Sequence, residues 1–161
     1  MKAPDFWYKT PNETPFWLKP LSWLYWLASH FRHLWAVPLE PEIPVICVGN
    51  IVMGGGGKTP MALYLYEKLK PKFSNIAILS RGYGGKERGP VFVDKEEHTA
   101  LDVGDEPLLF TRHSCRVIVA KSKKAGVKYA QDHDIDCLIM DDGYQNPHVF
   151  KTIHILMVDS R

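Results

Sequence analysis

The sequence contains only three cysteines in 161 residues, Cys47, Cys115 and Cys137, and they lie far apart. This wide spacing argues against a disulfide framework and against a zinc site, in which cysteines usually occur in close pairs. Two of the three fall within apolar runs that are typical of strands. We therefore expect reduced thiols in the core of a cytosolic protein.

The sequence also has little net charge and no apolar stretch of transmembrane length. Its formal charge is +2, so its composition gives no indication of a nucleic-acid partner. The excess falls within residues 1–39, and the remaining residues are balanced. The apolar and aromatic stretch from Pro20 to Phe31 has 12 residues, whereas a membrane span needs about 20. It also lacks the position and the cleavage site of a signal peptide.

All five tryptophans lie in the first 35 residues, where an amphipathic helix is predicted. Aromatic side chains flanked by basic residues are typical of a helix at the membrane–water interface. A core helix that packs on the following domain would explain the same pattern. The apolar face consists of Leu21, Leu24, Tyr25 and Ala28, and it is widened by Trp23, Trp26 and Leu27. Prolines near position 40 predict a boundary between an N-terminal segment, 1–39, and a nucleotide-binding domain, 40–161.

A glycine-rich stretch has the layout of a phosphate-binding P-loop. An apolar strand-like run, Val45–Val48, precedes four glycines, then Lys58 and Thr59, and then a helical segment that begins at Pro60. Glycines allow backbone N–H groups to converge on phosphate oxygens, the lysine reaches the β- and γ-phosphates, and the threonine binds Mg²⁺. The strict pattern would have glycine instead of Val52, and a flexible glycine loop is the alternative. The four glycines are Gly54, Gly55, Gly56 and Gly57.

Three further motifs follow predicted strands or begin helices. Arg81, after the run Ile76–Leu79, either contacts a phosphate or is a solvated residue in a turn. Asp105 and Glu106 come at the start of a helix, where one of them is expected to cap N–H groups, although adjacent acids also suit a metal or a general base. After Cys137–Met140 come two acids that suit Mg²⁺ binding or a plain Asp-Gly turn, Asp141 and Asp142.

Strands alternating with helices predict an α/β fold that is P-loop NTPase-like, with a mostly parallel, doubly wound sheet flanked by helices. The predicted N-terminal amphipathic, membrane-associated helix precedes this domain. All of the motifs above fall at the carboxyl edge of the sheet, where such folds bind ligands. The predicted strands are Val45–Val48, Ile76–Leu79, Val117–Ala120, Cys137–Met140 and Ile153–Val158, and Val91–Val93 is either a short strand or part of a hairpin.

The order and combination of these motifs resemble one known family. Gly49-Asn50 with Gly54-Gly-Gly-Gly-Lys-Thr-Pro60 is followed by Ser80-Arg-Gly-Tyr-Gly84, Val103-Gly-Asp-Glu-Pro107 and Asp141-Asp-Gly-Tyr-Gln145. Together they resemble the tetraacyldisaccharide 4'-kinases, the lipid A 4'-kinases of Gram-negative bacteria. That family also departs from the strict P-loop at the position of Val52. The resemblance covers essentially the whole chain, including the aromatic N-terminus.

The resemblance implies transfer of the ATP γ-phosphate to the 4'-hydroxyl of an acylated glucosamine disaccharide 1-phosphate. It also implies Mg²⁺, peripheral contact with the cytoplasmic face of the bacterial inner membrane, and no nucleic-acid partner. The implied catalytic residues are Asp105, as base, and Lys58. The nucleotide would be bound by Gly54, Gly55, Gly56, Gly57, Lys58, Thr59, Arg81 and Gln145, and the metal by Thr59, Glu106, Asp141 and Asp142.

The chain departs from the family in two respects. Asn146 stands where the family usually has a histidine, and His148 is out of register. Family members are also about twice as long, and their second half supplies a further lobe and a histidine that pairs with the catalytic aspartate. The resemblance therefore implies an N-terminal portion of such a kinase.

Two other functions remain open at this point. A membrane-associated ATPase of the ParA/MinD kind would carry a signature lysine at the position of Met53. A remnant that binds nucleotide and membrane without completing catalysis would bind ATP but transfer no phosphate.

Overall fold

The structure is a computed structural model that describes residues 16, 18–35, 37–50 and 57–158. The chain forms two compact units, Met1–Val37 and Pro38–Arg161. The predictions made for Gly54, Gly55 and Gly56 lie outside the described residues. So do Val52 and Met53.

The described residues of the N-terminal unit form a helix, α1 (Leu18–Leu34), which is longer at both ends than the predicted helical stretch. Pro20 falls in its first turn, where the missing N–H has no intrahelical partner to lose. Large apolar side chains on this helix are exposed, among them Trp23, Leu24, Tyr25 and Trp26. No helix in the described part of the chain is long and apolar enough to cross a bilayer.

The second unit is built on a six-stranded sheet in the order β3-β4-β2-β5-β1-β6. Its central strands are parallel, and only β3 runs antiparallel, beside β4. The predicted mostly parallel sheet is therefore confirmed. The strands are β1 (Val45–Asn50), β2 (Ile76–Ser80), β3 (Val91–Phe92), β4 (Val117–Val119), β5 (Cys137–Asp141) and β6 (Ile153–Met157).

Apolar side chains alternate between two separate cores along the central strands. In β5, Leu138 and Met140 pack in one core, whereas Cys137 and Ile139 pack in the other. Successive side chains of a strand point to opposite faces, so a strand covered on both faces is apolar throughout. This explains why the uninterrupted apolar runs in the sequence form buried strands.

Helices cover both faces of the sheet. On one face, α2 (Lys58–Leu69) contributes Ala62 and Tyr66 to the core, and α4 (Asp105–Arg112) contributes Phe110. On the other face, α5 (Lys123–Asp132) contributes Val127 and Ala130. A short helix, α3 (Ala100–Val103), precedes α4. This is the doubly wound arrangement that the sequence predicts.

One expectation about the helix starts requires correction. The residue before α4 is Gly104, so neither Asp105 nor Glu106 caps the helix with a side-chain hydrogen bond; both lie in its first turn. Helix α5 begins at Lys123, because the Ser122 hydroxyl caps it by accepting a hydrogen bond from the Ala125 N–H at 3.3 Å.

The three cysteines are buried and form no disulfide. Burial raises the pKa of Cys115 and that of Cys137 to about 11, and it also raises the pKa of Cys47. All three are therefore protonated thiols at neutral pH, in agreement with the prediction of reduced core cysteines.

Candidate active site

The predicted site residues follow the carboxyl ends of parallel strands or begin helices close to these ends. Asp141 is the last residue of β5, and Val48 of β1 is its partner in the sheet register. Lys58 and Thr59 begin α2, which follows β1 after the glycine loop. Since adjacent parallel strands end on one edge, the fold brings these residues together.

Two contacts connect the start of α2 to the acidic residues. The Lys58 ammonium lies 3.0 Å from the Asp142 Oδ1 atom and forms an ion pair with it. The Thr59 hydroxyl donates a hydrogen bond of 2.6 Å to the Glu106 Oε1 atom. Residues from three separate motifs are thus in contact. Thr59 and Glu106 are 47 positions apart along the chain, and Lys58 and Asp142 are 84 positions apart.

Asp141 is the buried carboxylate of the site. Its side chain is almost completely inaccessible, and its Oδ1 atom has no hydrogen-bond partner. Burial, reinforced by the negative charge of Glu106, raises the pKa of Asp141 from its ordinary value of 3.8 to about 7. An unpaired carboxylate oxygen in such surroundings is costly and is often found where a ligand is bound.

The residues fit a magnesium ion bound together with phosphates. No group of three or more His, Cys, Asp or Glu residues in the described ranges is arranged to hold a metal on its own. Mg²⁺, however, is usually held by only one or two protein carboxylates, together with phosphate oxygens and water. The unpaired oxygen of Asp141, the hydroxyl of Thr59 and the carboxylate of Glu106 are oxygen ligands of the type that Mg²⁺ prefers, and the last two are in contact.

An open cleft runs from the start of α2 along α4 and has a volume of about 410 Å³. Thr59, Asp105 and Glu106 line the end next to the predicted phosphate site. Asp105 is exposed to solvent, so its carboxylate is accessible to a bound molecule. The remaining lining residues belong to α3 and α4: Ala100, Leu108, Leu109 and Arg112.

Arg81 and Gln145 have different surroundings from the other predicted residues. Both side chains are exposed, and neither forms a hydrogen bond or an ion pair within the described ranges. Arg81 directly follows the end of β2. The pKa of Lys123 is lowered chiefly by burial, and the charge of Arg81 adds a smaller shift in the same direction. The structure therefore brings Arg81 to the correct edge of the sheet without bringing it into contact with the acids.

The glycine-rich loop after β2 packs closely against the residues that precede α4. Gly104 has a φ of 91°, and a Cβ atom there would lie 2.5 Å from the carbonyl oxygen of Tyr83. A Cβ atom on Gly85 would lie 2.5 Å from the Asp102 carbonyl oxygen. The Lys121 ammonium donates hydrogen bonds to the carbonyls of Gly82 and Gly85. These close approaches fix the start of α4, and Asp105 is the first residue of that helix.

The sequence reasoning missed one residue of the site, Lys123. It is buried in the first turn of α5, and its ammonium donates hydrogen bonds to the carbonyl oxygens of Leu79, at 3.0 Å, and of Asp141, at 2.7 Å. Burial lowers the pKa of Lys123 to about 8, although the charge of Asp141 opposes this shift. Lys123 therefore holds the ends of β2 and β5 together directly beneath the acids.

The fold and the site together indicate a class of protein. A mostly parallel sheet carries a Lys-Thr pair after a glycine loop, and this pair contacts acids from two neighbouring motifs. This arrangement is characteristic of the P-loop nucleotide-binding α/β proteins.

The comparisons with known proteins specify the family. The family model of LpxK, described as tetraacyldisaccharide-1-P 4'-kinase, matches residues 14–161. The chain belongs to this family. The predicted resemblance is thereby confirmed, and family membership favours the kinase interpretation over the ParA/MinD-like one.

Individual relatives agree with this assignment. A tetraacyldisaccharide 4'-kinase of Parvibaculum lavamentivorans is 44% identical, over 99% of this chain and 48% of its own length. One from Rhodopseudomonas palustris (strain BisB5) is 40% identical, over 100% of this chain and 47% of its own length.

A solved structure also resembles this fold. It is the crystal structure of the "apo" form of LpxK from Aquifex aeolicus in complex with ATP. It is 30% identical with a TM-score of 0.74, over 86% of this chain and 47% of that one. The P-loop kinase fold is thus confirmed, and the chain spans about half the length of the relatives that it matches.

Proposed function

We propose that this chain provides the ATP site and the acceptor-activating aspartate of a lipid kinase in lipid A biosynthesis. The reaction transfers the γ-phosphate of ATP to the 4'-hydroxyl of tetraacyldisaccharide 1-phosphate. The observation that carries the proposal is that Thr59, the predicted Mg²⁺-binding hydroxyl, and Asp105, an accessible carboxylate, line the same cleft. The names of the relatives supply the acceptor.

The phosphates of ATP would be bound by the glycine loop, Gly54 to Gly57, and by Lys58. Lys58 now pairs with Asp142, whose side chain is 65% exposed, and a triphosphate would compete for the same ammonium. Backbone N–H groups at the start of α2 and the positive end of its dipole favour an anion at this position. We assign Arg81 and Gln145 to the nucleotide as well, because both side chains are exposed close to this edge.

Mg²⁺ would be held by Thr59, Glu106 and Asp141, with Asp142 as a further acid in reach of the phosphates. When bound, the ion neutralises negative charge on the phosphates during transfer. Burial of Asp141 keeps its carboxylate away from competing water, and Lys123 fixes the backbone that carries it. The side chains of Thr59 and Glu106 are held in one geometry by their mutual hydrogen bond.

Asp105 would act as the base for the acceptor hydroxyl. The 4'-oxygen forms a bond to the γ-phosphorus as its proton passes to the Asp105 carboxylate, and the bond from phosphorus to the β,γ-bridging oxygen breaks to release ADP. Such reactions depend mainly on positioning and on charge neutralisation, so the role of Asp105 is to orient the hydroxyl and to accept its proton. Asp105 lies next to Glu106 in the first turn of α4, so the base is held beside the metal-binding residues.

We also propose that α1 binds the cytoplasmic face of the inner membrane peripherally. The support is its exposed aromatic and aliphatic surface, in which Trp23 is 60% and Tyr25 is 76% exposed. Amphipathic rings of this kind partition to the level of the lipid headgroups. Co-sedimentation with vesicles tests this: Trp23→Ala with Trp26→Ala should weaken binding, and an unchanged bound fraction would contradict it.

The experiment for the reaction uses the 161-residue chain with γ-labelled ATP, Mg²⁺ and tetraacyldisaccharide 1-phosphate in detergent micelles. We expect label on the lipid, with loss of transfer in Lys58→Ala and in Asp105→Asn. The two variants differ in ATP binding: Lys58→Ala should weaken it, and Asp105→Asn should leave it intact.

The two failures of this experiment have different meanings. ATP binding without transfer would identify a portion that binds nucleotide but does not complete catalysis. Transfer that persists undiminished in Asp105→Asn would contradict the assignment of the base.

A further inference from the structure

We propose that Arg112 binds the 1-phosphate of the acceptor, so that the cleft along α4 holds the disaccharide from Asp105 at one end to Arg112 at the other. This inference rests on the proposed function, because it takes the acceptor named for the relatives as the occupant. It concerns a residue outside the sequence motifs described above.

The cleft follows a single face of α4. Asp105, Leu108, Leu109 and Arg112 are spaced as i, i+3, i+4 and i+7, and all four line the cleft. This spacing places side chains on one helical stripe, two turns long. At 1.5 Å per residue, Asp105 and Arg112 are separated by about 10 Å along the helix axis. The cleft therefore has an acidic end beside the phosphate site and a basic end remote from it.

The middle of the cleft is apolar. Ala100 from α3 and Leu108 and Leu109 from α4 line it, and Leu109 is 41% exposed. Leu101, next to Ala100, is 69% exposed. Exposed leucines on both helices suit a ligand with apolar surface, such as an acylated sugar. The volume of about 410 Å³ lies in the ordinary range for small-molecule sites.

Arg112 has no ion-pair partner among the residues that the structure describes. A basic residue in the last turn of a helix also interacts favourably with the helix dipole, which is a purely structural role. Interaction with the helix dipole alone does not explain why the Arg112 side chain lines the same cleft as Asp105, the predicted catalytic base. A guanidinium presents paired donors that match two oxygens of a phosphate, which makes arginine well suited to this ligand.

The chemistry of the acceptor matches this polarity. Its reacting hydroxyl is at position 4' and its phosphate is at position 1, so the two groups stand at opposite ends of the disaccharide. With the 4'-hydroxyl against Asp105, the 1-phosphate points away from the metal-binding acids and towards the basic end of the cleft. The reverse orientation would place the 1-phosphate next to Asp105 and Glu106, where like charges repel.

The test measures binding of the full chain to micelles that contain either tetraacyldisaccharide 1-phosphate or the same lipid without its 1-phosphate. The contribution of α1 to micelle binding is common to both lipids, so the ratio of the two affinities reports the phosphate contact. We expect a preference of about tenfold for the phosphorylated lipid in the parent chain, as for one charge-assisted contact. Arg112→Gln should abolish this preference, and Arg112→Lys should retain part of it.

Lys128→Gln is the matched control, because Lys128 is exposed on α5, which packs on the opposite face of the sheet. This variant should keep the preference, and urea unfolding should show that all variants fold. A preference that survives in Arg112→Gln, or its absence in the parent chain, would overturn the assignment. The readout needs no phosphate transfer, so failure of the kinase reaction with an Arg112-dependent preference would refute only the proposed function.

Discussion

Asp141, proposed above as a ligand of Mg²⁺, is predicted to reduce the stability of the folded chain when no cation is bound. Its pKa is raised from 3.8 to about 7, chiefly because the carboxylate is buried and secondly because Glu106 is negative. The folded chain therefore binds the proton more tightly than the unfolded chain does. It follows that this residue costs almost no stability below pH 4, that the cost grows as the pH rises from about 4 to about 7, and that it is complete above that pH.

The magnitude follows from the size of that difference. At 1.36 kcal/mol per pKa unit, complete ionisation of Asp141 costs the folded state about 4 kcal/mol. Asp141→Asn removes the ionisation and nearly preserves the shape of the side chain. Lys123 would lose a negative neighbour in this variant, which offsets part of the gain. We therefore expect Asp141→Asn to raise the free energy of unfolding by about 2 kcal/mol at pH 8 and by almost nothing at about pH 3.5, below the pKa of the unfolded chain.

Urea unfolding at the two pH values, without added ligand, is the assay. Asp134→Asn is the matched control: Asp134 is an exposed turn residue with a φ of 57°, a conformation that asparagine tolerates. It should change stability little at either pH. Equal stability of the parent and Asp141→Asn at pH 8, or a loss in the variant that is the same at both pH values, would refute the reasoning.

Three further predictions concern the frame around the site. Lys123→Met should lower the free energy of unfolding by about 2–4 kcal/mol in urea, because two strand-end carbonyls lose their donor, and Lys123→Arg should lose less. In the same assay Gly104→Ala should cost more than Gly84→Ala: both positions have positive φ, but only the first would place a Cβ against backbone atoms. Cys115 and Cys137 should react with a disulfide reagent only upon unfolding, because burial raises their pKa values to about 11.

Each of these predictions has a result that would count against it. Full stability of Lys123→Met would show that other donors satisfy the carbonyls of Leu79 and Asp141. Equal losses in the two glycine variants would mean that the loop after β2 is free to move away from α4. Rapid thiol labelling of the folded chain at neutral pH would contradict the burial of the cysteines.

The sheet was predictable because its strands are apolar throughout and end in recognisable motifs. The run Cys137–Met140 indicates a buried strand, and the two acids that follow it suit either Mg²⁺ binding or a plain Asp-Gly turn. The contact of Thr59 with Glu106 follows only in general terms, from the rule that parallel strands end on one edge. Its distance of 2.6 Å depends on how α2 and α4 pack, which no local pattern specifies.

The missed features depend on tertiary packing. A lysine at the start of an amphipathic helix is normally solvated, so nothing local indicated that Lys123 is buried against strand-end carbonyls. The capping expectation for Asp105 and Glu106 was wrong because Gly104 occupies the N-cap position. Tyr83 of the preceding loop approaches that position so closely that a side chain would not fit. Such an approach between residues 21 positions apart is invisible in the sequence.

The central claim is that the carboxyl edge of this sheet binds ATP together with Mg²⁺, and titration calorimetry tests it most directly. The account predicts saturable ATP binding that is strengthened by Mg²⁺ and weakened at least tenfold in Lys58→Ala. It also predicts that Asp141→Asn, although more stable at pH 8, loses most of the strengthening by Mg²⁺. Binding that is indifferent to Mg²⁺, to Lys58 and to Asp141 would contradict the account, as would the absence of ATP binding by the folded chain.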